Sequence, residues 1–178
     1  MNVRAARLKG HGEPLDVEPV WLFGDIISPI INQLKPMVRD AKLDPKRIRY
    51  EGAQNVDQLH VDKSKISQVI YNLFVNAVKY AKSAETFQIL IDAEVDQENY
   101  LVKFCDYGIG IPKGLEEKIF QDRFRGPTPP EKTIKGSGLG LTIARKLMRE
   151  HGGDIVLAQN SNPTIFHVKF PKRLRRPS

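Results

Sequence analysis

Apolar residues recur along this chain with two different periods, and the periods alternate. Between Trp21 and about Lys42, Leu22, Ile26, Ile30, Ile31, Leu34 and Val38 fall at helical spacing, in a run that Pro29 and Pro36 should kink or interrupt. Residues 47–50 and 58–62 read as short strands. From Lys63 to about Ala81 the pattern predicts a strong amphipathic helix, with Ile66, Val69, Ile70, Leu73, Ala77 and Val78 as its core stripe. Phe87, Ile89, Ile91, Ala93 and Val95 then alternate with mostly polar neighbours, and the turn from Asp96 to Asn99 leads into a second alternating run, 100–106, which predicts a β-hairpin. After a loop starting at Gly108 and a short helix near Leu115 to Phe120, residues 125–136 are too rich in Pro, Gly and charge to be a simple turn. A helix from about Leu139 to Glu150 stops at Gly152-Gly153, and two last strands, 154–158 and 164–170, flank the turn Asn160-Ser161-Asn162-Pro163.

Helices and strands interleave, but the strands are joined mainly as hairpins and alternate apolar with polar residues, so one sheet face is packed and the other is wet. This predicts an α/β two-layer sandwich, a mixed and mostly antiparallel sheet packed on about three helices. A doubly wound parallel sheet would demand strands that are apolar on both faces, and these are absent.

Length and charge refine the picture. The 178 residues fit one domain, expected over 16–171, with a flexible lead-in at 1–15 and a basic tail at 172–178. Cys105 is the single cysteine, which excludes an internal disulfide framework, and Met1 is not followed by a secretory signal pattern. No apolar run approaches the roughly 20 residues of a membrane helix. The expected location is the cytoplasm, whether the chain is free or the cytoplasmic part of a membrane-bound sensor. The net charge of +7 is concentrated at the ends, in Arg4, Arg7 and Lys9 and in Lys172, Arg173, Arg175 and Arg176. No base-stacking aromatics are interleaved with these residues, so the ends read as solvated tails and no nucleic-acid partner is expected.

Three places carry candidate chemistry. On the helix from Lys63, Asn72, Asn76 and Lys79 share the arc opposite the core stripe, and Tyr80 borders it. Two carboxamides and an ammonium offer neutral oxygen to a hard cation and positive charge to phosphate, although an ordinary solvated helix face would look the same. In the strand 100–106, Asp106 ends an apolar row of Tyr100, Val102 and Phe104, where a carboxylate needs hydrogen-bond donors. An adenine amino group would serve; so would the loop that follows, in which Gly108 and Gly110 could let backbone approach a flat ligand. Third, glycine fills three of the six positions Gly136-Ser137-Gly138-Leu139-Gly140-Leu141 at a helix start, at a cost of about 0.5–1 kcal/mol each inside a helix. Free N–H groups and the dipole there favour an anion, usually phosphate, and a flexible linker is the alternative. Neither glycine box has the Walker A ending or the dinucleotide-fold spacing.

In this order, the segments 72–80, 106–110, Ile119-Phe120 through Phe124-Arg125, and 136–141 resemble the signature boxes of the GHKL ATPase superfamily, most closely those in the catalytic domain of sensor histidine kinases. The resemblance covers roughly Val17 to Phe170. It implies a Bergerat fold with ATP between the long helices and the sheet. It also implies Asn76 as the magnesium ligand with Asn72 beside it, Lys79 and Tyr80 near the phosphates or base, and Asp106 reading the adenine amino group in a pocket shaped by Gly108, Gly110 and Ile111. Residues 121–137 correspond to the ATP lid, with Phe124 in it, and Gly136, Ser137, Gly138, Leu139, Gly140 and Leu141 to its hinge and phosphate cradle. Arg123, Arg125 and Lys135 would balance charge on the transferred phosphate or be solvated lid charges. Two departures stand out: Tyr107 occupies a usually small or polar position, and Phe120 and Phe124 are one residue further apart than usual.

Family members that hydrolyse ATP place a glutamate one turn before the magnesium asparagine to activate water. Here Asn72 stands there, and residues 63–84 contain no acid. Transfer to an external nucleophile is the better expectation. The resemblance implies a phospho-accepting histidine on a separate dimerisation helix, a response regulator served through it, and a homodimeric parent. His11 lies between glycines, His60 and His167 in strands, and His151 at a helix end where it suits the dipole, so none is a credible acceptor. A serine kinase of the anti-sigma-factor type and a nucleotide-binding module with degenerate catalysis are the alternatives.

Overall fold

The alternation read from the strands becomes the two faces of one sheet. The computed structural model describes residues 13–122 and 140–175. In chain order they form β1 (Val17–Val20), α1 (Ser28–Asp40), β2 (Ile48–Tyr50), β3 (Leu59–Asp62), α2 (Lys63–Lys79), β4 (Ile89–Val95), β5 (Asn99–Asp106), α3 (Gly140–Glu150), β6 (Asp154–Gln159) and β7 (Thr164–Pro171). One sheet has the order β2-β4-β5-β7-β6, in which only β2 and β4 run parallel, and β1 pairs with β3 in a separate two-stranded ladder. The mixed, mostly antiparallel α/β sandwich expected from the pattern is the observed fold.

Each strand buries one face. Tyr100, Val102, Phe104 and Asp106 of β5 are buried, whereas Leu101, Lys103 and Cys105 are half-buried on the open side. The register aligns Ile91, Phe104 and Phe166 across three strands, and Ile89, Asp106 and Thr164 across the same strands at one end. On α2 the predicted stripe is buried together with Phe74, whose ring meets Phe104 edge-on at 4.9 Å. Fully burying one such aromatic is worth about 1.5–3 kcal/mol. Helix α2 starts because Asp62 caps it: its Oδ1 accepts the Lys65 N–H at 3.1 Å, and its Oδ2 accepts the Asp16 N–H at 3.0 Å.

Four local expectations are corrected. The run from Trp21 is interrupted at Pro29, as expected, but the first part is a wider π-helical turn, Leu22–Ile27, and Pro36 lies inside α1 without ending it. Pro29 supplies the reason, since it has no N–H to offer Asp25 and its ring would crowd that carbonyl in an α-helix, so the Ser28 N–H reaches back to Phe23 instead. β1 is a strand that the pattern gave no sign of, because it is short and contains Pro19, which an edge strand tolerates. The short helix near residue 118 is a single 3-10 turn, Lys118–Phe120.

The basic end is the fourth correction, for Lys172–Arg175 form a docked 3-10 turn and not a solvated tail. The Lys172 N–H donates to Glu98 O at 2.8 Å, Arg173 Nη2 donates to His151 O at 3.3 Å, and Arg175 pairs with Asp57 at 3.1 Å, while Leu174 packs on the core. His151 likewise does more than face a helix dipole. It is buried, Nε2 accepts the Asp62 N–H at 3.1 Å, and Nδ1–H donates to Leu147 O at 2.8 Å. Burial holds its pKa below the ordinary histidine value, so it is a neutral bolt between α3 and the start of α2.

Candidate functional site

The candidate residues gather where α2 ends, β5 ends and α3 begins. Asn72 and Asn76 are half-buried on the exposed arc of α2, Lys79 is exposed in its last turn, and Tyr80 caps it with an N–H bond to Asn76 O at 3.1 Å. The Asn72 amide donates to Gly140 O at 3.1 Å and so ties α2 to the first turn of α3. Among the described residues the Asn76 carboxamide has no hydrogen-bond partner. Among the described residues a Cβ at Gly140 would meet nothing closer than the Asn72 side chain at 3.9 Å. Leu141 is half-buried against the core.

Asp106 sits at the rim of the buried face, 8 % exposed. Burial pushes its carboxyl up to about 6, against the Gly108 N–H, which donates to Oδ1 at 3.0 Å and favours the charged form. Its second oxygen accepts no bond from the described residues, so a ligand N–H would find a partly desolvated acceptor.

The two glycines after Asp106 serve the protein first. A Cβ at Gly108 would lie 2.4 Å from Tyr80 O, because Gly108 bridges to Ala81 and the Ile109 N–H donates to Tyr80 O at 3.0 Å. Gly110 has φ +80°, and a Cβ there would lie 2.7 Å from Ser161 Cβ. These contacts join the loop to α2 on one side and to the β6–β7 turn on the other. Ile111 is half-buried and its N–H donates to Asn160 O at 2.8 Å. Tyr107 is 38 % exposed.

Arg123, Phe124, Arg125, Lys135, Gly136, Ser137, Gly138 and Leu139 lie outside the described residues. Just before that span, Phe120 is fixed by residues the sequence did not single out. The Arg145 guanidinium stacks 4.3 Å from its ring, Thr142 Oγ1 donates to its carbonyl at 2.9 Å, and Phe166 meets it edge-on. Arg145, itself buried, also bonds Glu117 at 2.7 Å and Asp154 at 3.1 Å. No local pattern could have marked Arg145, because its partners come from two other segments, 117–120 and the start of β6. Among the described residues no group of three or more His, Cys, Asp and Glu could hold a metal, and no helix is long and apolar enough to cross a membrane.

An asparagine-lined helix, a rim carboxylate beside a glycine loop, and a glycine-started helix thus come together at one end of an α/β sandwich. The chain belongs to the family described as histidine kinase-, DNA gyrase B-, and HSP90-like ATPases, whose model matches residues 61–174. Within it the similarity runs to sensor histidine kinases. The sensor protein KdpD of Escherichia coli is 42 % identical over 170 residues, 94 % of this chain and 18 % of that protein. Sensor histidine kinase WalK of Bacillus subtilis is 37 % identical over 97 residues, 54 % of this chain and 16 % of its own length. The chain therefore spans less than a fifth of either relative. The nucleotide-free catalytic domain of the histidine kinase ThkA superposes with a TM-score of 0.70 at 29 % identity, covering 89 % of this chain and 99 % of that one. ThkA in complex with the response regulator TrrA superposes with a TM-score of 0.71 at 26 % identity, covering 94 % and 45 %.

Proposed function

We propose that this chain binds Mg-ATP and donates the γ-phosphate to a histidine on a separate dimerisation helix, as the catalytic domain of a two-component sensor histidine kinase. The observation that carries this reading is the face of α2 one turn before Asn76. A hydrolase needs a carboxylate there to deprotonate water, but the position holds Asn72, an amide already bonded to Gly140 O, and residues 63–84 contain no acid. Without a base for water, the phosphate goes to a stronger external nucleophile.

Each residue then has a task. The free oxygen of Asp106 accepts the adenine amino N–H, and Ile111 and the loop before it wall the base. Asn76 would supply a neutral oxygen ligand to magnesium, a hard cation that takes oxygen ligands. That fits its unpartnered carboxamide and the lack of any acidic cluster among the described residues. Magnesium would neutralise phosphate charge as it does in other phosphoryl transfers. Lys79 and the start of α3 at Gly140 place positive charge and dipole at the phosphate end, and Arg123, Arg125 and Lys135 are the charges proposed to meet the transferred group. In the reaction the acceptor imidazole nitrogen forms a bond to the γ-phosphorus while the bridging oxygen leaves with ADP. The ThkA–TrrA complex supports a response regulator as the next partner, and the parent is proposed to be a homodimer.

Incubation with γ-labelled ATP and separately made acceptor helices tests the reading. Acid-labile label on histidine is the expected result. Acid-stable phosphoserine would make it a serine kinase, and nucleotide binding without transfer to any acceptor would leave only a binding module.

A further inference from the structure

The loop that follows Asp106 is held from outside by one side chain. Asn160, in the turn between β6 and β7, donates through Nδ2 to Ile111 O at 3.1 Å and to Glu116 Oε1 at 3.0 Å. Its backbone carbonyl accepts the Ile111 N–H at 2.8 Å and the Thr164 hydroxyl at 3.0 Å. Thr164 is the register partner of Asp106, so Asn160 is bonded to the strand neighbour of the rim carboxylate. Glu116 in turn accepts the Gly114 N–H at 3.1 Å, and these bonds, with its own backbone N–H, hold its carboxyl below the usual range. The same turn presses on Gly110, where the nearest atom to a Cβ would be that of Ser161 at 2.7 Å. Gln159 braces only the turn, donating to Ser161 O at 3.2 Å and Pro163 O at 2.8 Å.

We infer that Asn160 is a positioning residue for nucleotide recognition: it clamps the loop 107–116 to the sheet so that the wall beside Asp106 is preformed before the base arrives. This rests on the ATP reading of the site. The loop has no regular secondary structure between the Gly108 bridge and Lys118, so its backbone needs bonds from elsewhere to stay in one conformation. Asn160 provides two donors and one acceptor to it. Loosening the clamp lowers the population of the binding-competent loop, and the apparent affinity falls by the same factor.

The test is calorimetric titration of the 178-residue chain with Mg-ATP and with Mg-GTP, alongside thermal unfolding. Asn160→Ala should weaken Mg-ATP binding about tenfold and narrow the preference for ATP over GTP, since two bonds to the loop are lost while the fold remains. Asn160→Asp should be worse, because a carboxylate would face Glu116 and the Ile111 carbonyl. Adding Glu116→Gln to Asn160→Asp should recover part of the affinity by reversing the donor and acceptor, a rescue that a merely structural role would not give. Gln159→Ala should cost stability without changing nucleotide affinity. Unchanged affinity and preference in Asn160→Ala and Asn160→Asp, or equal loss in Gln159→Ala and Asn160→Ala, would overturn the inference. Failure of the unsubstituted chain to bind Mg-ATP would instead reject the functional reading beneath it.

Discussion

Asp106 shows what one carboxyl at a buried rim costs and provides. Its pKa is raised in the fold from 3.8 to about 6, so the folded chain holds a proton that the unfolded chain has lost between those values. The stability from that proton is full below 3.8 and is gone once the pH passes about 6. At pH 7 the charged carboxylate therefore opposes folding by about 2–3 kcal/mol. Asp106→Asn should stabilise the nucleotide-free chain at pH 7 by an amount of that order in chemical unfolding, while Mg-ATP heats disappear in calorimetry. In the unsubstituted chain, Mg-ATP affinity should fall as the pH drops below about 6, because a protonated carboxyl offers the amino group a poorer acceptor. Gly108→Ala is a different kind of change. Its Cβ would press on the Tyr80 carbonyl, a backbone atom that cannot rotate away, and overpacking of this sort costs about 1–3 kcal/mol, read as a lower midpoint in urea. Gly108 was legible as a box residue, but its reason was not, for the occupant of the missing side-chain space is 28 residues away in sequence at the end of another element.

At the scale of elements, α2 and β5 were readable because each carries its own period, and a buried stripe or row needs only local spacing to be seen. Helix α3 was readable in extent but not in its fastening. His151 joins its last turn to the start of α2, and its lowered pKa means that the unfolded chain takes up a proton near 6.5 before the folded chain does. The stability it supports is complete above that value and is lost as the pH falls below it, at a slope of at most about 1.4 kcal/mol per pH unit. Unfolding at pH 7.5 and 5.5 should show this loss, and His151→Phe should lack that component of the slope. Arg145 teaches a related point: through Phe120 and Asp154 it joins α3 to the turn 118–120 and to β6, and no spacing within any one of them encodes it.

For the whole molecule, the docked basic turn and the candidate site occupy opposite ends. Lys172–Arg175 reach Glu98, His60, Asp57 and His151, beside the Tyr100–Phe170 end of the central strand pair, whereas Asp106 and Thr164 mark the other. Deleting 172–178 should lower stability by about 1–3 kcal/mol in thermal or urea unfolding and leave the Mg-ATP dissociation constant unchanged. If both fell together, the two ends would be coupled. The sequence alone determined the sandwich class and the order of helices and strands, and it nominated the asparagines, acid and glycines of the candidate site, since periodicity and motif order are carried by residues close in the chain. Only the structure decided that Pro29 widens a helical turn, that Pro19 lies in a strand, that Lys172–Arg175 dock, and that Asn160 bonds Thr164 and the loop after Asp106. The first is settled locally, by the Pro29 ring and the Ser28–Phe23 bond, whereas each of the others is fixed by a hydrogen-bond partner that arrives from a distant segment, and linear spacing has no term for it.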